Sequence, residues 1–292
     1  MLAIAVAAPV EQNDGTVLLF DTDTQNQLNN FTVGALPDMV TFTPDGTSIL
    51  VANEGEPDDD YVIDPEGTVS IITIANGDIR TATFAAFNNQ ESALEAQSFR
   101  VFGPNANLAE DVEPEFIAVS DDSQTAYVVL QENNGMAVVD IASAQVTQIL
   151  PFGLKDFSAI GNEIDTSNED GITELRSVPV SAFFQPNAIA FTSINGQDVV
   201  ITANAGDSRD YDGFSEEERV ADLILDPTIF PDAATLQLEE NLGRLKTTNV
   251  EGDPDDDGDV DQIFAFGARS FTIWDTSGNM ILIVVMILLN KL

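Results

Sequence analysis

Residues Pro37 to Glu56 read PDMVTFTPDGTSILVANEGE, and this stretch decides the fold. Two runs of β-favouring residues, 39–42 and 49–51, flank the turn sequence Pro44-Asp45-Gly46. Proline fixes one φ angle and glycine tolerates a positive one, so a tight reversal is expected between the runs. The stretch therefore predicts a β-hairpin that ends in a small acidic cluster.

The same unit recurs twice, as PEFIAVSDDSQTAYVVLQEN from Pro114 and as PNAIAFTSINGQDVVITANAGD from Pro186. The starts are about 75 residues apart, which indicates an internal structural repeat. A further apolar strand belongs to each unit, and the copies of that strand begin at Gly15, Gly67, Gly135 and Ser270. Repeated four-stranded units predict an all-β protein, a β-propeller forming an incomplete ring of about three to four blades. A sandwich or a β-helix is the alternative.

A long insertion, at about residues 205–269, separates the last second strand from the strand at Ser270. We expect it to form loops and a helix. Ser215–Leu225, SEEERVADLIL, carries a capping-box pattern and is the candidate helix, and Asn89–Phe99 is another short one. Long insertions on a rigid scaffold are frequent places for function.

The two ends of the chain differ from the repeat. Leu2–Ala8 stands where a second strand belongs, so we expect the chain to begin within a repeat, and its start has no basic region typical of a signal peptide. We assign a partial propeller domain to residues 1–279 and an apolar tail to residues 280–292. The apolar run MILIVVMILL in that tail is too short to span a bilayer, so membrane insertion is not expected.

The composition excludes several functions. Fifty acidic residues against ten basic ones give a net charge of −40, which opposes binding to nucleic acid and favours metal cations as partners. The chain has neither cysteine nor histidine, so disulfides, thiolate chemistry, Cys/His zinc sites and imidazole catalysis are excluded. The alternative interpretation of the charge is a solvated acidic surface without a specific site.

The most specific local motif is DPDDDGDVD, residues 253–261. Its carboxylates at alternate positions around a glycine resemble the front of a calcium loop, in which oxygens converge on one hard cation. The glutamate expected at position 12 is replaced by Phe264, so a ligand from elsewhere or water must complete the shell. A solvated acidic turn is the alternative. The candidate calcium ligands here are Asp253, Asp255, Asp257, Asp259 and Asp261.

A second group of candidate ligands lies at the strand ends of the repeat units. In a propeller these ends share one rim, and so many neighbouring carboxylates repel one another unless a proton, water or a cation compensates. Exposed acidic loops, and asparagines that only form turns, are the alternative. The candidates are Asp38, Asn53, Glu54, Glu56, Glu115, Asn204, Asp207, Asp210 and Asp212.

Basic residues are concentrated in the insertion. Arg209, Arg269 and Lys246 are candidate substrate-binding residues, because a cation together with arginine neutralises a phosphoryl group without histidine. An ion pair between Arg209 and the neighbouring aspartates is the simpler interpretation. No catalytic residue is assigned.

Long motifs of the chain resemble the choice-of-anchor I family, secreted bacterial β-propellers often labelled alkaline-phosphatase-like and related to mesenchyme-specific cell-surface glycoproteins. The matching segments include LPDMVTFTPDGTSILVANEGEPDDDYVIDPEGTVSI, EPEFIAVSDDSQTAYVVLQENN, TANAGDSRDYDGFSEE and LGRLKTTNVEGDPDDDGDVDQIFAFGARSFTIWD. The resemblance implies an extracellular, metal-bearing propeller and no established reaction. The chain departs from the family at Ala205, where the family usually has glutamate, and after Asn279.

Three functional hypotheses follow. The leading one is an extracellular calcium-binding β-propeller with a cell-surface or matrix role. The second is a calcium-dependent phosphomonoesterase that acts on phosphate esters. The third is a purely structural propeller that offers a protein-binding face.

Overall fold

A computed structural model describes residues 1–285 of the protein. Four antiparallel sheets follow one another along the chain, and we name them blades 1 to 4. Blade 1 contains β1 (Leu2–Val6), β2 (Asp14–Phe20) and β3 (Gln27–Ala35). Blade 2 contains β4 (Pro37–Phe42), β5 (Ser48–Asn53), β6 (Thr68–Thr73) and β7 (Asp78–Thr83). Blade 3 contains β8 (Pro114–Val119), β9 (Thr125–Leu130), β10 (Gly135–Asp140) and β11 (Gln145–Pro151). Blade 4 contains β14 (Ala188–Ile194), β15 (Gln197–Asn204), β19 (Ser270–Asp275) and β20 (Met280–Val285).

Each blade is a meander of strands, as the repeat predicts. In blades 2 and 3 the four strands pair in chain order, and blade 4 keeps this order with the insertion between β15 and β19. Blade 1 has three strands, and β1 occupies the place of a second strand, because Val6 lies opposite Thr16 as Asn53 lies opposite Thr68. The prediction of an all-β fold built from four-stranded propeller blades is therefore confirmed.

The blades pack side by side through their first strands. β4 packs against β1 on one side and β8 on the other, and β8 packs in turn against β14. All six residues of β5 are buried, because this strand has a neighbouring blade on both faces. Ile49 and Val51 enter the core between blades 1 and 2, whereas Leu50 enters the core between blades 2 and 3. This alternation along one strand places a hydrophobic core between each pair of neighbouring blades.

The turn inside the repeat is held by side chains. In blade 2, Thr43 donates from Oγ1 to Asp45 at 2.6 Å, and the amide of Thr47 donates to the same carboxylate at 3.0 Å. In blade 3, Ser120 donates to Asp122 at 2.7 Å in the same way. The TPDG and SDDS sequences are thus two versions of one turn.

Besides the expected loops and a short helix, the insertion contains three strands that belong to a sheet. Its strands β16 (Glu217–Arg219), β17 (Lys246–Thr248) and β18 (Ile263–Ala265) join β12 (Leu154–Asp156) and β13 (Val180–Phe183) in the order β12-β13-β18-β17-β16. β13 and β18 are parallel, and this pairing connects the insertion to the segment before blade 4. The five strands and their connections enclose a hydrophobic core of their own.

The predicted helix at Ser215–Leu225 is wrong. The segment contains β16 followed by a single 3₁₀ turn, Val220–Asp222. Glu216, immediately before β16, is fully buried and binds the guanidinium of Arg100. An extended backbone pairs this segment with β17 and delivers Glu216 to that partner, so tertiary contacts override the local helical pattern.

The helices of the described residues are short. They are α1 (Glu91–Glu95), α2 (Leu108–Asp111), α3 (Ala233–Leu236) and the 3₁₀ turns Ala85–Phe87 and Val220–Asp222. α1 lies within the predicted helical stretch Asn89–Phe99. No helix within residues 1–285 is long and apolar enough to cross a bilayer. The first part of the apolar tail is β20, which pairs with β19, and the rest of the tail lies outside the described residues.

Candidate cation sites at the blade rim and in the inserted loop

Three carboxylates from blades 2 and 3 meet at one end of these sheets. Asp38 belongs to β4, Glu54 follows β5, and Glu115 belongs to β8, and oxygens of the three side chains lie within 4.8 Å of one another. A β-bulge lies beside Asp38 and another beside Glu115, and such bulges re-aim side chains at sheet ends. We call this group the rim cluster, and it brings together three of the predicted ligands.

Burial makes the rim cluster costly to ionise. Glu54 is only 9% exposed. Its pKa lies well above the usual range, first because of burial and then because of the charges of Glu115 and Glu56. The pKa of Glu115 is raised to about 7, again mainly by burial. The cluster therefore has to hold a proton or meet a positive charge near neutral pH.

Further buried acids surround the rim cluster. Glu113 and Glu132 are buried, and burial raises the pKa of both carboxyl groups, with a contribution from Glu115 at Glu132. The predicted ligand Glu56 lies nearby, and burial raises its pKa as well. The rim therefore gathers several carboxylates in a poorly hydrated environment.

Arg209 supplies the countercharge to this region. It is 2% exposed, and its guanidinium lies 2.7 Å from Asp111 and 3.0 Å from Glu113. The ring of Phe102 lies 4.4 Å below it. The simpler prediction of an ion pair describes these contacts, although the partners come from α2 and its C-terminal side rather than from the aspartates beside Arg209 in sequence. The enclosed guanidinium is thus paired with two buried carboxylates, and its contact with phosphate stays a prediction.

The other two predicted substrate-binding residues lie elsewhere. Lys246 pairs with Glu217 at the edge strand of the inserted sheet. Arg269 donates to the backbone oxygen of Asp165 at 3.0 Å. These two residues and Arg209 share no side-chain partner among the described residues.

The predicted ligands Asn53 and Asn204 are used inside their blades. Asn53 donates to Thr68 and to Ser70, the latter at 2.9 Å. Asn204 makes the equivalent bonds in blade 4, where Ser270 and Thr272 accept at 2.9 and 2.8 Å. Both amides therefore cross-link the second and third strands of a blade.

Three more predicted ligands, Asp207, Asp210 and Asp212, lie exposed at the start of the insertion. Asp207 is close enough to the rim for its charge to contribute to the raised pKa of Glu115. Asp210 forms an isolated backbone bridge with Ser215. None of the three joins a cluster of carboxylates that converge within 4.8 Å in the described part of the chain.

The motif of residues 253–261 forms a compact acidic loop. Oxygens of Asp253, Asp255 and Asp257 lie within 4.8 Å of one another, as the calcium-loop spacing predicts. The backbone amide of Gly258 donates to Asp253 at 2.9 Å, and Gly258 adopts a φ of +97°, so glycine is needed at the turn. The first half of the motif is thus already folded around its own carboxylates.

The second half of the motif converges with a residue from outside it. Asp259 and Asp261 lie within 4.8 Å of Asp226, which the sequence pattern does not identify. Backbone bonds fix this approach, because Asp226 donates to the oxygen of Val260 at 3.1 Å and Val260 donates to Ile224 at 2.7 Å. Oδ1 of Asp259 is buried without a hydrogen-bond partner in the described structure. We call residues 253–261 with Asp226 the inserted-loop cluster.

The sequence patterns do not identify several residues of the candidate sites. Asp226 lies 27 positions before Asp253 by numbering, in a segment that carries no ligand motif of its own. Glu132 and Glu113 are part of quoted repeat segments, and the signal that identifies them is their place at the ends of repeat strands. Arg100, which binds Glu216 and Glu251, has no sequence signal, because its partners are more than a hundred residues away.

Comparisons with solved structures return matches of very low sequence identity. U3-55K is 9% identical at a TM-score of 0.33, with 87% of this chain and 41% of that chain covered. The Cps50 (Swd1) β-propeller domain of Myceliophteria thermophila is 6% identical at a TM-score of 0.36, with 66% of this chain and 46% of that chain covered. This chain thus spans less than half the length of either structure.

A comparison with curated protein sequences gives no significant match. The family comparison is specific: the choice-of-anchor I domain matches residues 1–283, nearly the whole chain. This match covers all four blades, the rim cluster and the inserted-loop cluster. The chain belongs to the choice-of-anchor I family.

Proposed function

We propose that this protein is an extracellular β-propeller that binds calcium through its inserted-loop cluster and acts at the cell surface or in an extracellular matrix. The observation that carries the proposal is the approach of Asp226 to Asp259 and Asp261. It supplies the ligand from elsewhere that the truncated calcium-loop motif requires. Five of the six aspartates of the motif and Asp226 then form two groups of three carboxylates.

The chemistry of this cluster suits calcium. Calcium takes six to eight oxygen ligands in flexible geometry, whereas magnesium demands a near-ideal octahedron. The loop offers carboxylates from alternate positions, and open solvent on its exposed side provides water for the remaining positions. Extracellular calcium modules bind with dissociation constants of about 0.1 to 1 mM, a range in which exposed ligands are sufficient.

The cell-surface role rests on the family and on the charge. The name of the choice-of-anchor I family refers to anchoring, and a net charge of −40 makes the protein a binder of cations and of cationic matrix components. Calcium bound at an exposed loop also gives such a surface a bridge to a second acidic partner.

Thermal melting and isothermal titration with calcium chloride test the proposal. A ligand that binds only the folded state stabilises it by about 2.7 kcal/mol at one hundred times its dissociation constant. We expect a calcium-dependent rise in Tm that is reduced in Asp226→Asn and in Asp255→Asn/Asp257→Asn. Glu239→Gln/Glu240→Gln is the matched control, because it removes two exposed acids outside both clusters. A Tm that is unchanged up to about 100 mM calcium, one hundred times the weakest dissociation constant expected, contradicts the proposal.

A further inference from the structure

The rim cluster differs from the inserted loop in burial and in origin. Its three carboxylates come from two blades, with Asp38 and Glu54 in blade 2 and Glu115 in blade 3. Asp38 is exposed, Glu115 is half-buried and Glu54 is buried, so the cluster opens to solvent on the Asp38 side only. A ligand held there would contact both blades at once.

The positive charge around the rim cluster does not match its negative charge. Arg209 is already paired with Asp111 and Glu113, and neither partner belongs to the rim cluster. Within residues 1–285, no basic side chain forms an ion pair with Asp38, Glu54 or Glu115. Glu54 and Glu115 can hydrogen-bond to each other only while one of them keeps a proton, so the fully ionised cluster lacks a compensating charge.

An independent observation also points to a missing ligand. Glu132 is 7% exposed, and its Oε2 has no hydrogen-bond partner within the described residues. This side chain lies at the rim, close enough to Glu113 and Glu115 for their charges to act on it. Unpartnered buried polar atoms are rare in native structures, so the carboxylate of Glu132 requires an explanation.

The next junction between blades provides an internal comparison. The repeat register aligns Glu54 with Gln131 and Glu115 with Asn187. Between blades 3 and 4, Asn187 donates its amide to Oε1 of Gln131 at 3.2 Å, so these two neutral groups satisfy each other. Two carboxylates at the same place have no hydrogen to share once both are ionised. The acidic junction therefore needs either a shared proton or a bound cation, neither of which the amide junction needs.

We propose that Asp38, Glu54 and Glu115 bind a second, buried divalent cation that joins blades 2 and 3, independently of the inserted loop. Calcium is the expected ion, because it accepts carboxylates and carbonyl oxygens in irregular arrangements. The bound ion compensates the charge of the three ligands and links the first strand of one blade to the neighbouring blade.

Equilibrium dialysis against calcium chloride tests this site in the full chain. The background protein is Asp226→Asn/Asp255→Asn/Asp257→Asn, which removes ligands from both carboxylate groups of the inserted-loop cluster. We expect this background to retain one tightly bound calcium per chain, and we expect Glu54→Gln/Glu115→Gln to remove it. Glu239→Gln/Glu240→Gln in the same background changes the charge equally and is expected to leave the bound calcium in place.

A milder variant keeps the test decisive if the double variant does not fold. Asp38 is exposed, so Asp38→Asn preserves the fold and is expected to weaken calcium binding about tenfold or more, because one charged ligand is lost. Unchanged calcium affinity in Asp38→Asn, or no bound calcium in the loop-disabled background, overturns the rim site. Loss of calcium in the rim variants with a wild-type response of the loop variants would instead refute the proposed loop function and leave the rim site standing.

Discussion

Asn187 and Gln131 form an amide hydrogen bond of 3.2 Å at the place between blades 3 and 4 that Glu54 and Glu115 occupy between blades 2 and 3. One repeat position therefore carries a neutral pair at one junction and an acidic pair at the other. The backbone is equivalent in both, so the difference lies in the chemistry of the side chains. The acidic pair can therefore be introduced by substitution at the junction between blades 3 and 4.

Gln131→Glu with Asn187→Asp is predicted to create a calcium-dependent junction. Together with Glu115, the two changes reproduce the arrangement of Asp38, Glu54 and Glu115 one blade further along. In chelator we expect a loss of stability of about 3 kcal/mol or more, since buried charge is introduced without a partner. Calcium is expected to restore part of the loss, as measured by urea denaturation in both conditions. Equal destabilisation with calcium and with chelator would contradict this, and Asn187→Asp alone is the control for the exposed position.

Arg209→Met is predicted to destabilise the protein by about 3 to 5 kcal/mol, because it leaves Asp111 and Glu113 buried without their cation. The matched control is Arg176→Met, which removes a partly exposed arginine that pairs with Asp170 and Glu174. Exposed pairs contribute about 0 to 1 kcal/mol, so this variant should unfold close to the wild type. Urea denaturation measures both. Similar midpoints for the two variants would show that Arg209 has no structural role and would return it to the candidates for phosphate binding.

The blades were predictable because their signals are local. Alternating apolar residues and a turn such as Pro44–Gly46 lie within twenty residues of one another, and three copies reinforce the pattern. The inserted sheet was not predictable, because β13 and β18 pair across about eighty residues of chain and neither strand exceeds four residues. Pairing over such distances depends on tertiary packing that no short window contains.

The same distinction applies to the candidate sites. Asp253, Asp255 and Asp257 converge within one loop, so their spacing alone predicts their proximity. Asp38 and Glu115 meet only because blades pack through their first strands, so their proximity follows from the propeller arrangement and not from their spacing in the sequence. Asn53 and Asn204 resemble rim ligands in sequence, but hydroxyl groups on the neighbouring strands bind their amides. The strand register decides which hydroxyl groups lie next to these two amides.

Lys155 is predicted to make the free energy of unfolding depend on alkaline pH. Its ammonium group is buried and donates to the oxygen of Ala268 at 2.8 Å, and burial lowers its pKa to about 8 from 10.5. The unfolded chain therefore binds more protons than the native one between these values, and the contribution of Lys155 to stability rises with pH across that window.

The measurement is the difference in unfolding free energy between the wild type and Lys155→Met from pH 7.5 to 10. A single proton gives a slope of at most about 1.4 kcal/mol per pH unit, and the sign is a gain for the wild type as pH increases. Other groups titrate equally in both proteins and cancel in the difference. A difference that is flat across this range would mean that Lys155 keeps its ordinary pKa.

Gly206 and Gly267 close the neck of the insertion, where the chain leaves blade 4 and returns to it. A Cβ at Gly206 would lie 2.3 Å from the backbone nitrogen of Gly267, and Gly206 also has a φ of +83°. Gly196 has a similar φ of +80°, but a Cβ there would meet no atom within 4 Å. Gly196→Ala is therefore predicted to cost about 1 kcal/mol for the backbone conformation alone. Gly206→Ala should cost several times more, because the two backbones must separate, and urea denaturation of both variants measures the difference. Equal costs would show that the ends of the insertion are not in contact, and the inserted sheet would then lack its fixed connection to the propeller.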